Sequence, residues 1–542
     1  MIKWNVPRWF PWSQPAKPLY LMPTFTPCFE PLRHQFGVPY FQSILVFEDG
    51  LGTWAFRPDD LTALGIRMID YLLVSANRVD FEQGLMGARS DLLLVQAQVE
   101  NADVDVMSKD QLAALAGELF SSFSAYYTYG AYVEPIQAAG EALLTPALRV
   151  AAKEQHPDSD ADSLTRSYFS GGDVEQYTSR MMRERLAIAS AFRDARQEVS
   201  VIRAIDSADL LASIGKSAPN AAALVSAYCA RFHWSKNNYQ RCLLLTPTEV
   251  VEEVLGAAES FGAAATQLTL QLEDVTNNRK QSASVRASLA PSLSPYLVAV
   301  TSVFDTIGVE LADERKQTVY RSLSAIHKIV GEIARHTGMD EDLLSYLFPE
   351  ELSHVLKVGT TRYESRLRQR QQSVLVYQGD FSVLDDVRRT REPGAFASMD
   401  GPAIFEGDRL AEKSLKILAT RLDATTDAGP AVIVGSISFA LHSNDVIVGT
   451  ARIVRDPFKD QFLPGDILVA TSTTPDFVHL MRVAAAIVTD WGGQSSHAAL
   501  TSRELGIPCI TGTAFASTTL RSGTTVSLDF ATGVVSEVEE SS

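Results

Sequence analysis

The chain of 542 residues is 46% hydrophobic and 21% charged, ordinary globular proportions that exclude a disordered or fibrous protein. At roughly 150 residues per domain it holds three or four domains, or two large ones. Lys+Arg 48 against Asp+Glu 65 leave a net charge of −17, which repels phosphate backbones and anionic lipid, so neither nucleic acid nor a membrane is an expected partner.

Four cysteines, Cys28, Cys229, Cys242 and Cys509, lie far apart without a CxxC pair. That spacing suits a reducing compartment and argues against a zinc site or a disulfide framework. The N-terminus, Met1 to Trp9, has no continuous apolar stretch of signal-peptide length. No apolar run reaches the ~20 residues that span a bilayer, and the longest, around 431–441, suits a buried strand. A cytoplasmic protein is expected.

In chain order, the first ~55 residues are rich in aromatics and prolines (Trp9, Phe10, Trp12, Tyr20, Phe25) and read as irregular or strand-containing. Ser43 to Phe47 is a strand that enters a turn at Glu48-Asp49-Gly50. From residue 59 to about 385 the period becomes helical. Asp59 or Asp60 is positioned to cap a helix carrying Leu61, Leu64, Ile69, Leu72 and Leu73. Ser108-Lys109-Asp110-Gln111 and Thr246-Pro247-Thr248-Glu249 have the spacing of capping boxes. Further helices are predicted at 181–199, 219–232, 310–336 and 340–356. Breaks at Glu392-Pro393-Gly394, Gly401-Pro402 and Ala428-Gly429-Pro430 mark 386–430 as a hinge or linker, with a short helix over 407–421. Short β-rich runs follow (446–448, 467–469, 486–488, 509–510, 525–528), interrupted by helical segments near 476–483 and 496–505. The expected architecture is a large, mainly α-helical region over 1–385, the linker, and a small α/β domain over 431–542.

The most informative stretch runs from Ala486 through Asp490-Trp491-Gly492-Gly493-Gln494-Ser495-Ser496-His497 to Leu500. A buried strand ends at Val488, two glycines permit a tight turn, and Ser495 or Ser496 is placed to cap a helix beginning at His497. The first turn of a helix presents unpaired N–H groups and a positive dipole end, a setting that favours phosphate. The same field disfavours an imidazolium and keeps a ring nitrogen available for attack on phosphorus. The competing reading is a capping serine beside an ordinary surface histidine.

Gly492-Gly493-Gln494-Ser495-Ser496-His497-Ala498-Ala499, followed by Arg503-Glu504-Leu505-Gly506-Ile507-Pro508-Cys509-Ile510-Thr511-Gly512, resembles the phosphohistidine swivelling domain of PEP-utilising enzymes. These include PEP synthase, pyruvate phosphate dikinase, rifampin phosphotransferase and phenylphosphate synthase. Pro464-Gly465-Asp466-Ile467-Leu468-Val469 and Thr473-Thr474-Pro475-Asp476 resemble the domain's opening strand and turn, and Arg521 to Val526 with Thr532 to Val535 its last hairpin. Ser495 stands where the family usually has Thr. The resemblance, over residues ~445–537, implies a β/β/α fold in which His497 carries the phosphoryl group. It further implies that Ser495 and Ser496 orient the ring, Gly492 and Gly493 admit the phosphate, and Arg503 helps balance its charge. Residues 1–385 resemble, more loosely, the central helical region of the same enzymes, where rifampin phosphotransferase has its acceptor-binding domain.

No Gly-rich phosphate loop with a following Lys and no segment resembling the family's ATP-grasp domain is found. The sequence ends about 45 residues after His497, short of the roughly 250 residues of a C-terminal PEP/pyruvate barrel. The expectation is a split, ATP-dependent dikinase-type phosphotransferase. This chain would supply the carrier and the acceptor site, while a separate ATP-grasp-type subunit holds ATP and Mg²⁺, as phenylphosphate synthase does by resemblance. The acceptor is expected to be a small-molecule hydroxyl. For its binding site, His233, Trp234, Lys236 and Arg241 gather a base, an aromatic wall and cations within ten residues; a helix would spread these over several faces, which leaves a structural role for His233 open. His34, His327, His336 and His354 are lone histidines, and Arg362, Arg366, Arg368 and Arg370 read as a solvated basic face or an anion contact. No metal site is expected. Two other readings stand beside this one: a PEP-dependent phosphocarrier like enzyme I of the sugar phosphotransferase system, and a non-catalytic regulatory protein with a retired carrier domain.

Overall fold

The computed structural model describes residues 10–25, 32, 43–169, 175–243, 245–358, 361–378, 395–397, 403–406, 433–440, 445–494 and 496–538. The chain is mainly helical, with a sheet-containing C-terminal domain. It divides into two compact units, each assembled from separate stretches. Met1–Leu144, Asn237–Cys242 and Pro295–Ala431 form the first; Thr145–Lys236, Leu243–Ser294 and Val432–Ser542 form the second.

In the first unit, β1 (Phe10–Pro15), β2 (Ser43–Glu48), β3 (Leu51–Phe56), β4 (Ser373–Gln378), β5 (Ala395–Ala397) and β6 (Ala403–Glu406) make one antiparallel sheet, in the order β1-β3-β2-β4-β6-β5. The aromatic-rich N-terminus therefore supplies strands. Asp49 (φ 53°) and Gly50 (φ 75°) join β2 to β3 as a two-residue turn whose positive φ values match the twist of a hairpin. Of the segment expected as linker, β5 and β6 belong to this sheet, while the helix expected over 407–421 lies outside the described residues, as do His34 and Cys28.

The helix expected after Asp59 begins earlier: Arg57 is its N-cap, Pro58 occupies the first turn, and Asp59 and Asp60 lie inside it, where carboxylates oppose the positive end of the dipole. The Ser108–Gln111 capping box forms as its spacing predicts, with both reciprocal bonds present (2.9 and 3.3 Å). Arg366 and Arg370 are not a solvated face. Arg370 is fully buried and pairs with Glu351 and Glu406, and Arg366 reaches Glu406 at 2.8 Å. The helical run Pro295–Thr337 is long and apolar enough, by length and composition, to cross a membrane. Asp305 and Glu310 interrupt its apolar residues in sequence. In the fold its Val300, Phe304 and Ile307 are core residues.

The second unit combines helices with a sheet. Tyr177–Asp194 lies beside Phe261–Leu289, joined by the stacked rings of Phe192 and Phe261 (centroids 4.4 Å apart). The Thr246–Glu249 capping box opens the helix Pro247–Leu255. The sheet contains β7 (Ile433–Val434), β8 (Ser436–Phe439), β9 (Val446–Ile453), β10 (Ile467–Ala470), β11 (Ala486–Thr489), β12 (Cys509–Thr511), β13 (Thr525–Asp529) and β14 (Val534–Glu537). Its order is β7-β14-β13-β9-β10-β11-β12-β8, with β9 to β12 mutually parallel. Every residue of β10 and β11 is buried, as central parallel strands covered on both faces must be. Val469, Val488, Ile510, Ala516, Val526 and Leu528 form the core beneath the site.

Candidate active site

Parallel strands send the loops at their C-terminal ends to one edge of a sheet, and neighbouring loops meet there. The loop after β10 supplies Thr473 and the loop after β11 supplies His497, bringing Thr473 Oγ1 to 2.8 Å from His497 Nδ1. Thr473 is buried, so this bond fixes the ring's rotation away from bulk water.

The turn before His497 depends on its first glycine. Gly492 has φ +123°, and a Cβ there would lie 2.6 Å from Ser496 Oγ. Ser496 is the N-cap of the helix His497–Leu505: its hydroxyl accepts from Ala499 N (3.3 Å) and donates to Gly493 O (2.8 Å). Ser496 thus spends its hydroxyl on the backbone and orients the ring only by shaping the turn. Gly493 contributes its carbonyl to the same turn. Ser495 lies outside the described residues. Gly506, in the left-handed region at φ 68°, ends the helix.

Arg503 is placed differently from the phosphate-balancing role expected of it. Its side chain is buried, with Nε donating to Ser438 O (3.0 Å) and Nη1 to Gln494 O (2.6 Å), and Gln494 in turn donates to Ile437 O (2.9 Å). The guanidinium ties edge strand β8 to the histidine loop. Asp490, at the start of that loop, accepts from Ser517 N (2.9 Å) and Thr513 Oγ1 (3.2 Å). Burial pushes its carboxyl up to about 6 against the downward pull of those bonds.

The helical part of the unit meets the ring from the other side. Tyr177 OH lies 3.5 Å from His497 Nε2, and Tyr177 packs edge-on against Trp234 with centroids 5.6 Å apart. Ser179 Oγ donates to Glu504 Oε1 (3.0 Å), Arg279 reaches both Ser179 Oγ (3.1 Å) and Glu504 (3.5 Å), and Asn278 donates to Arg503 O (3.4 Å).

The four residues proposed for acceptor binding each have their own local surroundings. Trp234 is fully buried, its indole N–H on Arg231 O (3.1 Å), and it backs Tyr177 as a packing residue. His233 has Nδ1 3.1 Å from Ala230 O, a local contact within its helix end. Lys236 pairs with Glu249 (2.8 Å) and Glu253 (3.8 Å), while Arg241 belongs to the first unit. Sequence reasoning assigned no role to Thr473, although it lay within the recognised turn, and passed over Tyr177, 320 residues from its partner. Among the described residues no group of three or more His, Cys, Asp or Glu side chains is placed to hold a metal ion.

Residues 462–533 match the model of the PEP-utilising enzyme mobile domain. Over 76 residues the chain is 55% identical to the phosphoenolpyruvate synthase of Pyrococcus furiosus, covering 14% of this chain and 9% of that protein. It is 49% identical over 92 residues to a probable phosphoenolpyruvate synthase of Staphylothermus marinus (16% and 11%). An uncharacterised phosphotransferase of Bacillus subtilis is 42% identical over 100 residues (18% and 12%). The chain thus spans about a tenth of the length of these relatives. His497 stands inside the matched segment, and residues 462–533 are similar to the mobile domain of PEP-utilising enzymes.

Proposed function

We propose that the chain is a phosphotransferase component in which His497 carries a phosphoryl group on Nε2 and delivers it to a small-molecule hydroxyl. The observation that carries this reading is the pairing of His497 Nδ1 with Thr473 Oγ1 at 2.8 Å, with Nε2 directed at Tyr177. We assign the ring proton to Nδ1, donated to Thr473, which leaves the lone pair on Nε2.

In loading, that lone pair forms a P–N bond as the donor's bond to phosphorus breaks. In delivery the P–N bond breaks as the acceptor oxygen bonds phosphorus. The imidazole leaves neutral because Nδ1 kept its proton, and the acceptor's proton passes to solvent or to a base of the acceptor site. Two displacements allow donor and acceptor sites to be built apart, each resting on positioning and charge stabilisation. The acceptor end belongs to the helical part of the second unit, which contributes Tyr177. The donor in this reading is ATP with Mg²⁺, held by an ATP-grasp-type partner subunit.

The test incubates the chain and candidate partners with ATP labelled at the β or the γ phosphate, and with labelled PEP. Acid-labile, base-stable label from the β position, lost in His497→Ala, is the expected result. Label from PEP alone would replace ATP as donor and favour the enzyme I-like phosphocarrier. No label from either donor with every partner present would leave a regulatory protein with a retired carrier domain.

A further inference from the structure

We propose that Tyr177 is a catalytic residue of the phosphoryl relay, whose phenol favours the empty form of the carrier and so drives the docked domain toward delivery. The inference rests on Nε2 of His497 being the phosphorylated atom. With the ring proton on Nδ1, the Tyr177 O–H is the donor and Nε2 the acceptor of the 3.5 Å contact. In the empty carrier the Nε2 lone pair accepts that hydrogen bond. In the loaded carrier the same lone pair is the P–N bond, and the phosphoryl group fills the gap in which the phenol oxygen lies. The interaction is therefore present on one side of the transfer and absent on the other. An interaction of that kind changes an equilibrium or a rate, whereas one present equally on both sides changes neither.

The phenol is held well enough to exert the bias. Tyr177 is 3% exposed, and its ring is fixed against Trp234, itself buried and anchored through its indole N–H. Two residues along the same helix, Ser179 joins Glu504 and Arg279 in the contact that seats the His497 helix. One helix start thus places the phenol and also fixes the imidazole it faces. Loading must break the Tyr177 bond, and delivery restores it as the P–N bond is lost.

The test uses Tyr177→Phe in the full chain, which keeps the ring against Trp234 and removes only the hydroxyl. Potassium phosphoramidate serves as the donor: its P–N bond breaks with release of ammonia as the Nε2–P bond forms, so no partner protein is needed. Phosphohistidine at position 497 is followed by peptide mass and phosphorus NMR, with His497→Ala identifying its signal. The expected result is loading about two- to tenfold faster in Tyr177→Phe, the range set by one net hydrogen bond, and discharge to water no faster than native. The nitrogen resonance of His497 Nε2 moves in the empty variant. Damage to the fold would slow loading or change both rates together. Loading that is unchanged or slower, or an Nε2 resonance that stays in place, overturns the role of Tyr177. If native His497 takes up no phosphoryl group while other histidines do, the carrier reading itself fails.

Discussion

Replacing Thr473 by Val tests the geometry of the nucleophile most directly. The two side chains have nearly the same shape, so packing at this buried position is preserved, but the oxygen 2.8 Å from His497 Nδ1 is lost. Two outcomes are open to the ring. It can keep its proton on Nδ1 with no acceptor, or it can move the proton to Nε2 and lose the lone pair that attacks phosphorus. A part-buried donor left without its partner costs about 1 kcal/mol, equivalent to a loading rate lower by roughly fivefold. Thr473→Ser restores an oxygen and recovers most of the rate. The assay is phosphoramidate loading at position 497, measured by peptide mass beside a thermal melt. A Val variant that melts like the native protein and loads at the native rate would refute the assignment of the proton to Nδ1.

Two further predictions concern the loop that carries the histidine. In Gly492→Ala the new Cβ meets Ser496 at 2.6 Å and the backbone is held at φ +123°, so strain and the lost cap together destabilise the second unit by about 2–4 kcal/mol. Urea unfolding reads this as a lower midpoint; an unshifted midpoint means that the turn has another conformation. Asp490, its carboxyl raised to about 6 from an unfolded value of 3.8, holds its proton more tightly folded than unfolded. Its contribution to stability is therefore greatest below about pH 4 and falls as pH rises to about 6, by on the order of 3 kcal/mol. Asp490→Asn, which cannot ionise, gains on the native protein across that window in urea titrations at successive pH values. A difference independent of pH would show that Asp490 is not strained by burial.

Local signals in the sequence proved legible where the structure is local. The capping boxes at Ser108 and Thr246, the turn at Asp49-Gly50 and the Ser496 cap ahead of His497 each depend on residues within a few positions of one another. The partners of His497 divide on the same principle. Thr473 is 24 residues away, in the loop after a neighbouring parallel strand, and was visible as a turn without a role. Tyr177 is brought in by tertiary packing alone, and no periodicity or motif at Gln176-Tyr177-Thr178 marks it. Arg503 shows the converse: its charge and its place on the helix suggested a phosphate contact, and only the positions of Gln494 and Ser438 reveal that its guanidinium also ties the loop to β8. The strand from Ser43 was legible for the same local reason, but not its second partner, which lies at Ser373–Gln378, far along the chain.

The division of the chain bears on how the protein is made. The helices that hold Tyr177, Ser179 and Arg279 leave the ribosome before Pro295–Ala431, and the sheet that completes their unit follows only afterwards. Until then the helix faces that seat Arg503 and Glu504 have no sheet to pack against, and apolar surface exposed at that stage invites aggregation. Closing so long a loop is also slow, because its entropy is spent before the late contacts return any stability. Synthesis of Val432–Ser542, and not the completion of the helices, is then the event that commits the second unit to its fold. Premature termination just after Ala431 would leave a chain whose first unit is whole and whose second is an open helical half.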